Sequence, residues 1–309
     1  EFFSIESWQD LSVIASVARS NGRRVRGLLR VNPADPPKAR LAMSGVSSQF
    51  GFEEDALYER SELLRDAEDA VSIDGVHVYW GTQIGGPTEL LAAFESGIAV
   101  AERVATRIGF DLQIVNLGGG FPWPYAHRGA GPDLEPLRDG LLSLHARAGR
   151  AHGAQWWFES GRYLAASAGT LIARVMDLKT SKEKQYLILD TGMHHLGGLS
   201  GLGRIPRPTV ELVPLCPRAG HMTVDVAGQL CTPLDVTARN LTVSEVRPGD
   251  LVAISNVGAY GLTASLVGFL GRPTPKEVAH RGSTVVAVHQ WRTGHARCHP
   301  IPLTGIDHK

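Results

Sequence analysis

One stretch decides the fold of the first half of this 309-residue chain: Ile114-Val115-Asn116-Leu117-Gly118-Gly119-Gly120-Phe121-Pro122. Its apolar start predicts a buried strand over 112–117, and three glycines follow that strand directly. Glycines at such a turn let the backbone approach a bound group closely and point several N–H groups at it, as phosphate binding requires. A tight turn between a strand and a helix explains the same residues, so the motif alone leaves both interpretations open.

Strands and helices alternate on both sides of this motif. We predict strands over 2–5, 25–31, 75–80, 112–117 and 155–158, and helices over 7–20, 53–69, 91–108 and 134–148. Such alternation is typical of parallel βαβ units. The count is about four complete strands and part of a fifth, whereas a closed barrel needs eight. The sequence predicts either an open, doubly wound sheet or a barrel that lacks its first βα units here, and the opening in mid-strand favours the barrel.

The pattern changes after about Gly161. Helical patterns become scarce, and strand-like segments joined by Gly/Pro turns follow one another over 170–178, 185–190, 209–214, 222–226, 251–255 and 284–290. We therefore predict an α/β plus β chain with two domains, a (β/α) barrel domain over 1–165 and a β-rich domain over 166–309.

Composition excludes several classes of protein. The chain is 43% hydrophobic and 20% charged, which argues against disordered, collagen-like and coiled-coil proteins. Lys+Arg and Asp+Glu both number 31, so no basic excess points to nucleic acid or a membrane surface, and no apolar run is long enough to predict a transmembrane helix. Three cysteines, Cys216, Cys231 and Cys298, form no CxxC pair and no even disulfide framework, so we expect a cytoplasmic protein with reduced thiols.

A second motif, Glu159-Ser160-Gly161-Arg162, ends the next predicted strand. Barrel enzymes often bind phosphate with the loops that follow their last two strands, and their active sites lie at the carboxyl ends of the strands. A glycine triplet and a Gly-Arg pair occupy those two loops here. A local Glu159–Arg162 ion pair that closes a turn is the alternative interpretation.

These two motifs and four others resemble the pyridoxal-phosphate-dependent decarboxylases of the alanine-racemase fold, a group that includes the diaminopimelate, ornithine and arginine decarboxylases. The likeness covers nearly the whole chain, and its six motifs occur in one order: 75–83, 118–122, 159–162, 189–193, 231–235 and 258–261. It implies an eight-stranded barrel followed by a β domain, in a homodimer whose subunits share their active sites. The cofactor implied is pyridoxal 5′-phosphate, and no metal is expected.

The resemblance assigns a cofactor site residue by residue. The residues implied to contact the phosphate are Gly118, Gly119, Gly120, Gly161, Arg162, Tyr260 and Thr82. Tyr79 replaces a histidine that usually stacks on the cofactor ring; tyrosine stacks equally well but carries no positive charge. Glu159 would pair with the pyridine nitrogen and keep it protonated, so that the ring accepts the electrons released with CO2.

Three residues of the second domain complete the implied site. Cys231, from the partner subunit, would return a proton to the substrate carbon, because an ordinary thiol is mostly protonated at neutral pH. A small buried hydrophobic residue is the alternative for a cysteine taken alone, and the surrounding Cys-x-x-x-Asp match favours the functional role. Asp235 would help to complete the shared site, and His194 would lie near the substrate or the subunit contact.

The family's Schiff-base lysine lies in a Tyr/Phe-x-x-Lys-x-Asn run on an early barrel strand. None of the six lysines of this chain stands in such a run: Lys38, Lys179, Lys182, Lys184, Lys276 and Lys309. Aligned on the family, the chain begins near the fourth barrel strand, in agreement with the strand count. We therefore expect the first third of the barrel, with its lysine, to lie upstream; a natural pseudoenzyme is less favoured, because half a barrel exposes a long sheet edge.

The substrate class follows from details of the same motifs. Thr232 follows Cys231, where diaminopimelate decarboxylases have a glutamate that recognises the distal ammonium group, so a diaminopimelate substrate is disfavoured. The motifs are more similar to a branch from secondary metabolism, including antibiotic assembly, whose members decarboxylate a glutamyl group tethered to an acyl-carrier protein. An amino-acid racemase on the same scaffold and a non-catalytic regulatory homologue are the alternatives.

Overall fold

The computed structural model describes residues 2–33, 48–196, 209–292 and 294, and the chain divides into two compact units, Glu1–Gly169 and Thr170–Lys309. The first unit is built from strands and helices in alternation. Its strands are β1 (Phe2–Ile5), β2 (Val25–Asn32), β3 (Phe52–Glu53), β4 (Val71–His77), β5 (Ile114–Asn116) and β6 (Gln155–Trp157). Its helices are α1 (Trp8–Ser20), α2 (Glu54–Glu59), α3 (Glu62–Asp66), α4 (Pro87–Ile108), α5 (Glu135–Arg147) and α6 (Arg162–Ala165).

The strands of the first unit form one parallel sheet. Their order is β1-β2-β4-β5-β6, and the short β3 pairs with β2. Every pairing in this sheet is parallel, which confirms the predicted βαβ units. Since parallel neighbours are joined by crossover helices, the carboxyl ends of all these strands lie at the same edge of the sheet.

Local sequence explains where the principal helices begin and end. Ser7 precedes α1, and its hydroxyl accepts a hydrogen bond from the backbone N–H of Asp10, as an N-cap residue does. Helix α4 buries an apolar face that includes Leu90 and Phe94. It ends at Gly109, whose φ of +89° is the left-handed conformation that glycine adopts without steric cost. The predicted ends of helix α1 and the predicted carboxyl end of helix α4 are therefore confirmed.

Two predicted elements of the first unit are wrong in their bounds. The strand predicted over 75–80 spans Val71–His77. The first half of this strand was not predicted because it contains the polar residue Asp74. Asp74 is buried there, where it forms an ion pair with Arg26. The single helix predicted over 53–69 is two helices, α2 and α3, with a break between them.

The second unit is mostly β-structure. Its strands are β7 (Leu171–Ser181), β8 (Lys184–Leu189), β9 (Val213–Pro214), β10 (His221–Ala227), β11 (Val236–Ser244), β12 (Leu251–Ile254), β13 (Lys276–Arg281) and β14 (Thr284–Gln290). One sheet has the order β11-β10-β8-β7-β12-β9, and β13 and β14 pair as a separate hairpin. The strand predicted over 209–214 is only two residues long.

Pattern analysis missed β11 and β13. Strand β13 is exposed at all six positions, and its sequence does not alternate between apolar and polar residues. Strand β11 carries Arg239 and Asn240 in its middle, and both contact the buried carboxylate of Asp225. Within the described residues no helix is long and apolar enough to cross a membrane.

Gly75 is where the parallel sheet leaves no room for a side chain. It lies in β4, between β2 and β5, and a Cβ atom added there would sit 2.1 Å from the carbonyl oxygen of Ile114. We expect Gly75→Ala to lower the free energy of unfolding by about 2 kcal/mol or more, because strands β4 and β5 must separate.

Urea unfolding of the full chain measures this loss. Gly153→Ala is the matched control, since a Cβ atom at Gly153 meets no atom within 4 Å. An unchanged unfolding midpoint for Gly75→Ala would mean that the sheet accommodates the methyl group.

Candidate active site

Two loops meet at the carboxyl edge of the parallel sheet. One follows β5 and contains Gly118–Gly120; the other follows β6 and begins with Phe158 and Glu159. The backbone N–H of Glu159 donates to the carbonyl oxygen of Gly118 at 2.8 Å. A Cβ atom on Gly119 would lie 2.4 Å from the Glu159 carbonyl oxygen. The contact therefore depends on glycine at position 119, and it places the two predicted motifs side by side.

The glycine turn has a shape that other residues do not tolerate. Gly118 and Gly120 have φ angles of +66° and +100°, in the left-handed region that favours glycine. A Cβ atom would come within 2.7 Å of the Tyr79 ring at Gly118, and within 2.6 Å of the Ile84 side chain at Gly120. The turn is thus a closely packed stretch of backbone without side chains, buried at Gly118 and Gly119 and half-buried at Gly120, and such glycine turns suit a bound anion.

Residues from the β4 and β6 loops surround this turn. The Arg162 guanidinium donates to the Thr82 hydroxyl at 2.9 Å, so the structure brings these two predicted phosphate contacts together. The half-buried Tyr79 ring lies against Gly118 and Gly119. Ser160 Oγ is buried and makes no hydrogen bond to the described residues. A buried hydroxyl without a partner is uncommon, and it indicates a place where a ligand oxygen binds.

The Glu159 side chain is held by one of its two oxygens. Oε1 accepts a hydrogen bond of 2.8 Å from the Asn116 amide and lies 3.3 Å from His77 Nε2. Oε2 has no hydrogen bond within the part of the chain that the structure describes, and the side chain is 46% exposed. The carboxylate is therefore anchored on one side and open to a donor on the other.

His77 ends β4 beside this carboxylate and is buried. Its Nδ1 lies 3.2 Å from the Ser4 hydroxyl. Burial lowers the pKa of His77 below its ordinary value, and the Arg30 charge lowers it further, while Glu159 and Glu6 act in the opposite direction. At neutral pH the imidazole next to Glu159 is thus uncharged.

Sequence analysis missed Asn116 and His77 as parts of the site. Both are the last residues of buried strands, and they are register partners on β5 and β4. A buried polar residue at the carboxyl end of a parallel strand was the available signal, because that edge is where ligands bind.

The residues of the first unit fit pyridoxal 5′-phosphate. The glycine turn, the buried Ser160 hydroxyl and the Arg162 guanidinium suit a phosphate group. The open oxygen of Glu159 suits a protonated ring nitrogen. Lys38 is the single lysine of residues 1–169 and lies outside the described residues; the lysines that the structure describes all belong to the second unit.

In the second unit, Asp235 joins two of the motifs. Its buried carboxylate accepts hydrogen bonds of 2.8 Å from the backbone N–H groups of Met193 and Leu230. It fills the space beside Gly192 and Gly228, where an added Cβ atom would come within 2.3 Å of its oxygens. The carboxylate thereby fixes the 189–193 segment to the loop that carries Cys231.

Cys231 and His194 lie on the two segments that Asp235 connects, in very different surroundings. The Cys231 thiol is free and exposed. His194 is only 2% exposed, and its ring centroid lies 3.9 Å from that of His195. Burial, with a smaller contribution from His195, lowers the pKa of His194 to about 4, so the ring is neutral at physiological pH.

Tyr260 is half exposed and has a φ angle of +58°. It belongs to the second unit, together with Cys231, Asp235 and His194, whereas the glycine turn and Glu159 belong to the first. The convergence of these residues on one site stays a prediction.

Comparisons with known proteins identify the family of this chain. Residues 14–258 match the family model described as "Pyridoxal-dependent decarboxylase, C-terminal sheet domain". The chain is 32% identical over 287 residues to an L-glutamyl-[BtrI acyl-carrier protein] decarboxylase of Niallia circulans, covering 90% of this chain and 67% of that protein. It is 31% identical over 295 residues to a diaminopimelate decarboxylase of Zymomonas mobilis, covering 91% and 65%.

Solved structures give the same fold. A crystal structure of diaminopimelate decarboxylase from Helicobacter pylori complexed with L-lysine superposes with a TM-score of 0.77 at 25% identity, over 92% of this chain and 69% of that one. The diaminopimelate decarboxylase of M. jannaschii gives 0.79 at 23% identity, over 95% and 67%. The predicted barrel followed by a β domain is therefore confirmed, and the chain spans about two thirds of the length of these relatives. The chain belongs to the family of pyridoxal-dependent decarboxylases.

Proposed function

We propose that the full-length protein decarboxylates an amino acid to an amine with pyridoxal 5′-phosphate as its cofactor. One observation carries the proposal: the backbone of Glu159 is hydrogen-bonded to the glycine turn, so that an anion cradle and an open carboxylate oxygen lie at neighbouring positions of one sheet edge. These are the two features that a cofactor with a phosphate at one end and a ring nitrogen at the other requires.

Each of these residues has a distinct part in binding. Gly118–Gly120, Gly161, Arg162 and Thr82 would hold the phosphate, and Tyr79 would support the ring. The bound cofactor supplies an electron sink for the bond between Cα and the departing carboxylate. Glu159 keeps the proton on the ring nitrogen, because a neighbouring carboxylate stabilises the cationic form.

We assign the return of the proton to Cys231. Its thiol is exposed, and its loop is fixed through the buried carboxylate of Asp235, so the acid is both accessible and positioned. As the family resemblance implies, Cys231 would enter the site of the other subunit of a homodimer, with Asp235 and His194 near it and Tyr260 on the phosphate. A thiol acid must stay reduced, which agrees with a cytoplasmic location.

A glutamyl group tethered to an acyl-carrier protein is the substrate we favour, in a secondary-metabolic route such as antibiotic assembly. Support comes from the 32% identity to the Niallia circulans decarboxylase, whose name states that substrate. Thr232, next to Cys231, is neutral and offers no carboxylate to the distal ammonium group of diaminopimelate.

Release of CO2 from a panel of substrates tests this choice. The panel contains L-glutamate, meso-diaminopimelate and a glutamyl thioester on a carrier protein, each with the full-length protein and pyridoxal 5′-phosphate. We expect the thioester to react fastest. Inversion at Cα without CO2 would identify a racemase, and failure to bind the cofactor would identify a regulatory homologue.

Removing the charge of Glu159 tests its role. We expect Glu159→Gln to lower the initial rate of CO2 release by about a hundredfold or more, because a neutral amide does not stabilise the protonated ring nitrogen. Glu135→Gln is the control, since Glu135 is a 74% exposed side chain on α5. A rate within a few-fold of wild type, with cofactor bound, would contradict the role of Glu159.

The two exposed cysteines provide a matched pair for the proton donor. We expect Cys231→Ala to lower amine formation by about a hundredfold, because general acid catalysis is lost, and Cys216→Ala to leave it unchanged. Amine and CO2 are quantified separately. Equal activity of the two variants would remove Cys231 from the mechanism.

The same variants test whether sites are shared between subunits. In an equimolar mixture of Glu159→Gln and Cys231→Ala subunits, half of the dimers are mixed, and each mixed dimer has one intact site only if each site takes Glu159 and Cys231 from different subunits. We expect recovery of about a quarter of wild-type activity. No recovery after verified subunit exchange would place both residues in one subunit's site.

A further inference from the structure

We propose that Asn116 is a positioning residue that holds the Glu159 carboxylate at a set place relative to the glycine turn. Nothing in the family likeness assigns this residue a role, and the inference rests on the proposed function of Glu159. Two hydrogen bonds carry it: the Asn116 amide donates to Glu159 Oε1 at 2.8 Å, and its carbonyl oxygen accepts from the Gly118 N–H at 2.9 Å.

The side-chain amide suits this position because its two contacts need opposite polarity. Glu159 Oε1 requires a donor, and the Gly118 N–H requires an acceptor. Asn116 is the last residue of β5 and only 8% exposed, so its side chain is fixed by its surroundings. One buried group therefore connects the residue that faces the ring nitrogen with the turn that would bind the phosphate.

This arrangement leaves specific groups available to a ligand. Asn116 and His77 both lie against Oε1 of Glu159. The other oxygen, Oε2, has no hydrogen bond within the described residues. Because Asn116 takes the Gly118 N–H, Gly118 would shape the turn around the phosphate, and the N–H groups that remain for the anion are those of Gly119 and Gly120. Neither of these donates a hydrogen bond within the part of the chain that the structure describes.

The charged and titratable groups around this link are few. Strand β4 places His77 Nε2 3.3 Å from Oε1, and this contact lacks the alignment of a hydrogen bond. Strand β2 contributes Arg30, which is paired with Glu6 at 2.6 Å. The aligned donor to Oε1 is therefore the neutral side-chain amide of Asn116.

A double-mutant cycle separates positioning from a general structural effect. Dissociation constants for pyridoxal 5′-phosphate are measured for the full-length wild type, Asn116→Ala, Glu159→Ala and the double variant. We expect Asn116→Ala to weaken binding about tenfold in the wild-type background and no more than about twofold in the Glu159→Ala background. Equal losses in both backgrounds would overturn the inference.

The rate of CO2 release gives a second readout. Without the Asn116 donor the Glu159 carboxylate is no longer held in place, so we expect Asn116→Ala to lower the initial rate of CO2 release at saturating cofactor by about tenfold. Gln113→Ala is the matched control. Gln113 stands just before the start of β5, where its side-chain oxygen accepts a hydrogen bond from Arg26. A rate shared by Asn116→Ala, the control and wild type would overturn the inference.

Asn116→Asp keeps the experiment decisive if the alanine variant does not fold. The aspartate retains an acceptor for the Gly118 N–H and replaces the donor to Glu159 Oε1 by a carboxylate oxygen, so we expect cofactor affinity to fall about tenfold with the turn intact. An unchanged affinity would count against the role of Asn116 while leaving the proposed function in place. Failure of the wild type to bind the cofactor would instead refute the proposed function, and the inference with it.

Discussion

The contact between the loops after β5 and β6 is the constraint on which the candidate site depends. Gly119 approaches the Glu159 backbone so closely that a Cβ atom would lie 2.4 Å from its carbonyl oxygen, and the Glu159 N–H donates to Gly118. Any side chain at position 119 forces these loops apart. The separation between the anion cradle and the carboxylate is therefore set by backbone contacts, which vary less than contacts between flexible side chains.

Much of this arrangement could be predicted from sequence because parallel strands impose it. Once 112–117 and 155–158 are recognised as neighbouring parallel strands, the glycine turn and Glu159 must emerge at one edge of the sheet. Helix ends were equally predictable, since Ser7 and Gly109 have the local chemistry of a helix start and a helix end. The family motifs predicted the cofactor. Hydrophobic periodicity alone left both an open sheet and a barrel possible.

The features that sequence missed share one physical cause, which is compensation by a distant partner. Asp74 is tolerated inside β4 because Arg26 pairs with it, and β11 carries polar residues that meet buried Asp225. His77 and Asn116 also resemble ordinary buried polar residues until Glu159, from a third strand, joins them. Patterns in a sequence reflect residues that are close along the chain, so they do not predict pairings between distant residues.

The electrostatics of the site follow from which groups stay uncharged. A protonated imidazole at His77 would neutralise Glu159 and leave little charge for a ligand. Burial prevents this by lowering the pKa of His77, and Arg30 is occupied by Glu6 at 2.6 Å. Asn116 adds a donor without a charge. Within the described residues the Glu159 carboxylate pairs with no lysine or arginine, which is the arrangement required of a group that holds a proton on a cofactor ring.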